Sequence, residues 1–139
     1  MGRGRVVRGA AMKLELSSMT KFSAYHSLRE REEPHEHHFE LSVGITGPLR
    51  SGRVAGLVEL NGILEEEVGP LKQTFLNENS KLDEASRQIP TCENLAAHFF
   101  ERFVAKIRFH FGRDVELSWV EVKVLEPDGM PWGSAKWSV

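Results

Sequence analysis

Cysteine is nearly absent from this 139-residue chain: Cys92 stands alone, so no intrachain disulfide can form. Long apolar runs are missing too, and nothing approaches the roughly 18 consecutive apolar residues of a membrane-spanning helix. Nor is there a surplus of one charge. Lys and Arg number 18 against 20 Asp and Glu, a net −2, which gives no electrostatic handle for nucleic acid or an anionic membrane. The N-terminus, M-G-R-G-R-V-V-R-G-A-A, is basic and Gly-rich. It lacks the apolar core of roughly 7 residues that a secretory signal needs. What remains is an ordinary composition, 40% hydrophobic and 27% charged, long enough for one domain with one core. Residues 1–12 read as a loosely ordered extension, with Met12 a candidate start, and residues 13–139 as a single domain.

The most informative stretch is Pro34 to Gly47, P-H-E-H-H-F-E-L-S-V-G-I-T-G. His35, His37, Phe39, Leu41, Val43 and Ile45 share one parity; Glu36, His38, Glu40, Ser42, Gly44 and Thr46 share the other. A period of two over this length predicts a half-buried β-strand. Two imidazoles then open its apolar face, roughly 6.5–7 Å apart along the strand. Upstream, K-F-S-A-Y-H puts Phe22, Ala24 and His26 on one face of another strand. If the two strands pair, three imidazoles converge. Three neutral imidazoles suit Zn²⁺ at about 2.0–2.1 Å per nitrogen, with a fourth position open for substrate or water. The competing reading of His-x-His is a polar, half-exposed strand end.

In chain order, Leu14 to His26 reads as the first strand, with a bulge at Ser17-Ser18-Met19 where alternation breaks. Ser27 to Pro34 is a charged turn and His35 to Thr46 the second strand. Arg53 to Leu60 alternates and suggests a third strand, before Leu60, Ile63, Leu64 and Leu71 take helical spacing. Phe75 to Ile89 has no clear period and reads as loop. Pro90 to Phe111 predicts a helix: Thr91 is its N-cap, Leu95, Phe99, Phe103 and Ile107 form its apolar stripe, and Gly112 stops it. His98 and His110 read as partner-facing or surface residues. Asp114 to Glu126 is a strand whose apolar parity flips, predicting a bulge near Trp119-Val120. Glu126 ends it on the parity of Val122 and Val124, where a carboxylate is costly unless paired or facing a pocket. Ala135 to Val139 returns as a short last strand. The order β-β-(β)-α-α-β-β describes an α+β domain with helices on one face of an antiparallel sheet, its edges open to pairing between subunits.

These pieces, in this order, resemble the 6-pyruvoyl-tetrahydropterin synthase family, which includes the bacterial 6-carboxytetrahydropterin synthases. The resemblance covers about residues 13–137. It rests on F-S-A-Y-H at 22–26 and H-E-H-H-F at 35–39, where the family usually reads H-G-H-N-Y. G-R-V-A-G-L-V-E-L at 52–60, P-T-C-E-N-L at 90–95 and V-K-V-L-E at 122–126 complete it. The resemblance implies the tunnelling fold (T-fold, ββααββ): trimers closing a barrel of strands, two trimers stacked as a hexamer, and sites between subunits. It implies zinc on His26, His35 and His37. It also implies a pterin anchored by Glu126 with help from Thr91 and Cys92. The location expected for the chain is cytoplasmic.

Departures from the family pattern bear on activity. The family cysteine before H-x-H has no counterpart between His26 and His35, and Cys92 matches the pterin-anchoring turn instead. Where the family carries Asp-His in a P-L-D-H context, this chain reads Pro70-Leu71-Lys72-Gln73, which supplies neither an imidazole base nor a carboxylate to orient one. Glu36 replaces the glycine between two ligand positions, and with the short loop after His26 it works against tight zinc binding. Three readings follow. One is a pterin-binding homologue unable to run the standard synthase reaction. Another is an active pterin lyase with a substitute base: one branch of the family uses a glutamate in an E-x-x-H pattern, which Glu32-Glu33-Pro34-His35 fits. The third is a structural oligomer without a ligand.

Overall fold

A computed structural model of the chain describes residues 13–29 and 32–139; the extension over 1–12 and the candidate start at Met12 lie outside the described residues. The alternating stretches form the first two strands, β1 (Leu14–His26) and β2 (His35–Gly47). Their antiparallel register runs unbroken from Leu14 opposite Gly47 to His26 opposite His35, so the bulge expected at Ser17–Met19 is not present. Parity is kept by burying polar residues. Ser18 and Thr20 face inward and are satisfied from the overlying helix, Asn61 Nδ2 donating to Ser18 Oγ (2.9 Å) and Thr20 Oγ1 donating to Glu65 (2.5 Å).

Residues 53–60 make no strand, contrary to their alternation. Arg53 forms only an isolated bridge with Arg50, and helix α1 (Leu57–Val68) starts behind Gly56. Leu60, Ile63, Leu64 and Val68 are buried at helical spacing, and that stripe carries the helix back through Val58, left 87% exposed. The segment read as loop also holds structure: a 3₁₀ turn at Leu76–Glu78 and the short α2 (Glu84–Gln88), capped by Asp83, which accepts from the Ser86 N–H at 2.8 Å.

Helix α3 (Cys92–Phe111) matches its sequence signals. Thr91 Oγ1 accepts from the Asn94 N–H (3.1 Å), Leu95, Phe99, Phe103 and Ile107 are buried, and Gly112 ends it at φ +87°. His98 is not a surface residue. It lies beside the Leu95–Phe99 stripe, is 7% exposed, and its Nδ1 sits 3.8 Å from the Asp83 carboxylate. His110 is exposed.

Two more strands, β3 (Glu116–Leu125) and β4 (Pro131–Ser138), complete an antiparallel sheet in the order β1-β2-β3-β4. Gly44 faces Trp119 while Ile45 faces Leu117, so Ser118 is the inserted residue, next to the expected bulge at Trp119-Val120. A second irregularity was not foreseen. Val124 faces Gly133 and Leu125 faces Pro131, leaving Trp132 as an extra residue on β4. Helices cover one face only. The α1 helix lies against β1 and α3 against β3 and β4, closing a core in which Phe39, Leu41, Val43 and Val122 are fully buried. Across the helix layer, Arg102 and Lys106 of α3 both pair with the largely buried Glu67 carboxylate of α1, each at 2.7 Å.

Candidate functional site

Both strand ends that carry histidine finish on the helix-facing side of the sheet, so the three rings meet. The centroids of His26, His35 and His37 are 4.7, 4.9 and 4.7 Å apart, each pair edge to face. One potential ligand atom from each lies within 4.8 Å of the others. A tetrahedral zinc at about 2.0–2.1 Å from each nitrogen needs them some 3.4 Å apart, a small closing rotation of each ring. Phe39, next on the same face, packs beneath His26 and His37.

His26 is the most committed member. It is 4% exposed, and its Nδ1 lies 2.9 Å from the Pro90 carbonyl. A carbonyl only accepts, so Nδ1 carries the proton and Nε2 is left with a lone pair. That Nε2 is buried and has no hydrogen-bond partner. A buried polar atom left unpaired is costly, and a metal ion held there would satisfy it. Burial holds the His26 imidazole below its ordinary pKa; nearby His35 adds to this, while Pro90 and Glu32 oppose it. Burial likewise lowers His37, with His26 and His35 adding to the effect. Neutral rings with free lone pairs are what a divalent metal requires. The residues fit the metal.

One support beside the cluster comes from the segment read as loop. Asn77 brackets Ser27, its side chain accepting from the Ser27 N–H and donating to the Ser27 carbonyl, both at 2.9 Å. It thereby holds the chain just past His26. Pro90 joins His26 to the start of α3, where Thr91 and Cys92 stand. Burial pushes the Cys92 thiol up to about 11, with Glu93 adding to it, so the thiol stays protonated and is a poor nucleophile. Glu32 reaches the cluster: its Oε1 lies 3.7 Å from His35 Nδ1 and accepts from the Leu28 N–H at 2.8 Å. Lys72 pairs with Glu65 at 3.5 Å. Gln73, in a left-handed conformation (φ +58°), donates its backbone N–H to Ser23 and points its side chain at Glu36, 3.5 Å away.

Glu126 lies just beyond β3, exposed, in the turn that Pro127-Asp128-Gly129 closes. Its backbone bonds to Met130 and Gly129 across that turn (2.7 and 2.8 Å). Its side chain borders an open cleft of about 430 Å³ with Glu36, His37, His38, Leu125 and Trp132. One wall of the cleft is thus a histidine of the cluster. Thr91 and Cys92 do not line it. His38 points to the opposite side of β2 from His37, its Nδ1 2.9 Å from Ser23 Oγ. Trp132 had no place in the sequence argument, although its position between Pro131 and Gly133 is a signal of irregular strand.

A family model described as 6-pyruvoyl tetrahydropterin synthase matches residues 15–130. The chain belongs to that family. The four-stranded antiparallel sheet with helices on one face is the family's tunnelling fold. Among solved structures, 6-pyruvoyl tetrahydropterin synthase of Caenorhabditis elegans is similar at 17% identity and TM-score 0.69, over 92% of this chain and 96% of that one. An uncharacterised protein of Wolinella succinogenes matches at 15% identity and TM-score 0.69, over 92% and 99%. A Plasmodium vivax 6-pyruvoyltetrahydropterin synthase with a glutamate-to-cysteine change at a catalytic residue matches at 14% and 0.68, over 93% and 100%. No curated protein matches the sequence. Among the described residues, no helix is long and apolar enough to cross a membrane.

Proposed function

We propose that this family member holds a divalent metal, zinc by its donor set, on His26, His35 and His37, and binds a pterin-like ring against Glu126 beside it. The observation that carries the reading is the buried, unpaired Nε2 of His26 inside a triangle of imidazoles. Zinc, when bound, polarises an oxygen of the ligand's side chain and acidifies the adjacent C–H. The remaining work falls to the chain. The Pro90 carbonyl fixes the His26 tautomer. Glu126 offers two acceptors to the amino group and ring N–H of a pterin, a charge-assisted pair. Phe39, fully buried, packs beneath His26 and His37 and backs their rings. The cleft flanks β4, whose outer edge has no partner strand among the described residues, which favours a ligand bound between subunits.

The standard synthase reaction is not part of this proposal. No thiol stands between His26 and His35, Lys72 is engaged by Glu65, and Gln73 cannot take up a proton. A second reading, an active lyase, is favoured by one contact: Glu32 lies 3.7 Å from His35, and the Plasmodium vivax relative has a catalytic glutamate.

The test is titration of wild type and Glu126→Gln with biopterin or neopterin, on species sized by sedimentation. Hydrogen bonds to a charged group contribute roughly 1.5–3 kcal/mol net, so Glu126→Gln should lose at least about tenfold in affinity without a change in melting temperature. Equal affinities would remove Glu126 as the anchor. Full-strength binding by a monomer would remove the inter-subunit placement.

A further inference from the structure

We infer that Trp132 is the stacking platform of the cleft, the residue that selects a flat, fused heteroaromatic ring and sets the plane in which it lies. This rests on the pterin reading above and goes beyond it, because nothing in that reading uses Trp132.

Three observations carry the inference. Trp132 is the inserted residue of the β3–β4 bulge: Gly133 pairs with Val124 and Pro131 with Leu125, leaving Trp132 with no opposite number. A bulge re-aims a side chain away from regular alternation. In an unbroken ladder, residue 132 would stand opposite Leu125 on the uncovered face of the sheet. With the bulge, its indole instead sits 5.9 Å from the His37 ring, tilted by 50°. Second, the indole borders the same cleft as Glu126 and His37. Third, it is 59% exposed, unlike Phe39, which packs beneath the same histidine and is fully buried. A large aromatic ring turned into an open cleft, and held there by a backbone irregularity, is arranged for a ligand more than for the core.

Geometry assigns the ligand class. Glu126 reads the edge of a ring through in-plane hydrogen bonds, and Trp132 supplies a face. A ring with two adjacent donors on one edge and a π-face satisfies both; an acyclic polyol offers hydroxyl donors to Glu126 but no face for Trp132. Nucleobases stack favourably on aromatic side chains whatever their sequence, because every base has a π-face, and a pterin presents a similar two-ring face.

Equilibrium titration with biopterin tests this on wild type, Trp132→Phe, Trp132→Leu and Trp132→Ala, with metal loading measured in each. Phenylalanine keeps a ring face, leucine keeps apolar bulk without one, and alanine keeps neither. Trp132→Phe should bind within about threefold of wild type, and both Trp132→Leu and Trp132→Ala should weaken by about tenfold or more, roughly 1.4 kcal/mol. In a Trp119→Phe/Trp137→Phe background the remaining indole fluorescence should be quenched as the ligand saturates. Wild-type affinity in Trp132→Leu and Trp132→Ala would overturn the stacking assignment alone. No pterin binding by the wild type would overturn the pterin reading and the assignment with it.

Discussion

His37 and His38 are adjacent, chemically identical, and on opposite faces of one strand. That makes them a matched pair for testing the metal centre. His37 turns toward His26 and His35, with ring centroids under 5 Å away; His38 turns to Ser23. Metal-free protein titrated with zinc at pH 7.5 should therefore melt higher, His37→Ala should cancel the gain, and His38→Ala should leave it intact. The size of the gain follows from linkage. A ligand present at about 100 times its Kd stabilises the folded state by about 2.7 kcal/mol. Unfolding entropy near 2.1 cal/mol/K per residue gives roughly 0.3 kcal/mol/K for a chain of this length. The expected rise is then about 9 °C. Thermal melts read the shift, and elemental analysis of the dialysed protein reads the stoichiometry, one metal per chain in wild type and His38→Ala. A full shift in His37→Ala, or its loss in His38→Ala, would refute the strand-parity argument on which the ligand assignment stands.

Activity and pH response give two further tests. Dihydroneopterin triphosphate should pass unchanged through the metal-loaded wild type, because each positioned acid–base group contributes about 10²–10⁴-fold and the family thiol and imidazole are missing; turnover that disappears in Glu32→Gln would instead establish the lyase reading. His98 is held neutral by burial, below its ordinary value near 6.5, with Asp83 opposing. The unfolded chain thus binds more protons than the folded one just below pH 6.5, so stability falls as pH drops from 6.5 through the lowered value. His98→Leu should flatten the part of that loss due to residue 98, read as urea midpoints at pH 7.5 and 5.5. An unchanged loss would assign the whole slope to other groups, with His26 and His37 acting in the same direction.

The parity of β2 was legible because Phe39, Leu41, Val43 and Ile45 form a fully buried row that His35 and His37 continue, although Glu40, Ser42 and Gly44 on the other parity are buried too. His26 followed from the same rule on β1. Where sequence reading failed, a local pattern was outweighed by a distant partner. Ser17-Ser18-Met19 looked like a break in the strand, yet the register holds, with inward Ser18 and its neighbour Thr20 satisfied by Asn61 and Glu65. Val54, Gly56 and Val58 alternate, yet residues 53–56 form no strand and the buried stripe of α1 takes the segment into a helix from Leu57 on. Asn77 carries no periodicity, and its value lies in two bonds to Ser27, 50 residues away.

Bulges are the sharper limit, because one inserted residue shifts every later side chain to the other face. At Ser118 the insertion announced itself: Leu117 and Val120 are both apolar and buried but of opposite parity, so a bulge was needed between them. At Trp132 no such flip was visible, since exposed Trp132 and the glycine and serine beside it show no apolar row to interrupt. Backbone chemistry still marked the place. Pro131 cannot donate to a ladder and Gly133 packs nothing against it, so a tryptophan between them stands where regular pairing is weakest. A large, exposed side chain at the weakest point of a strand, close after the turn that carries Glu126, is a feature that periodicity cannot report. Reading it requires asking where the ladder is free to break, in addition to which face each residue occupies.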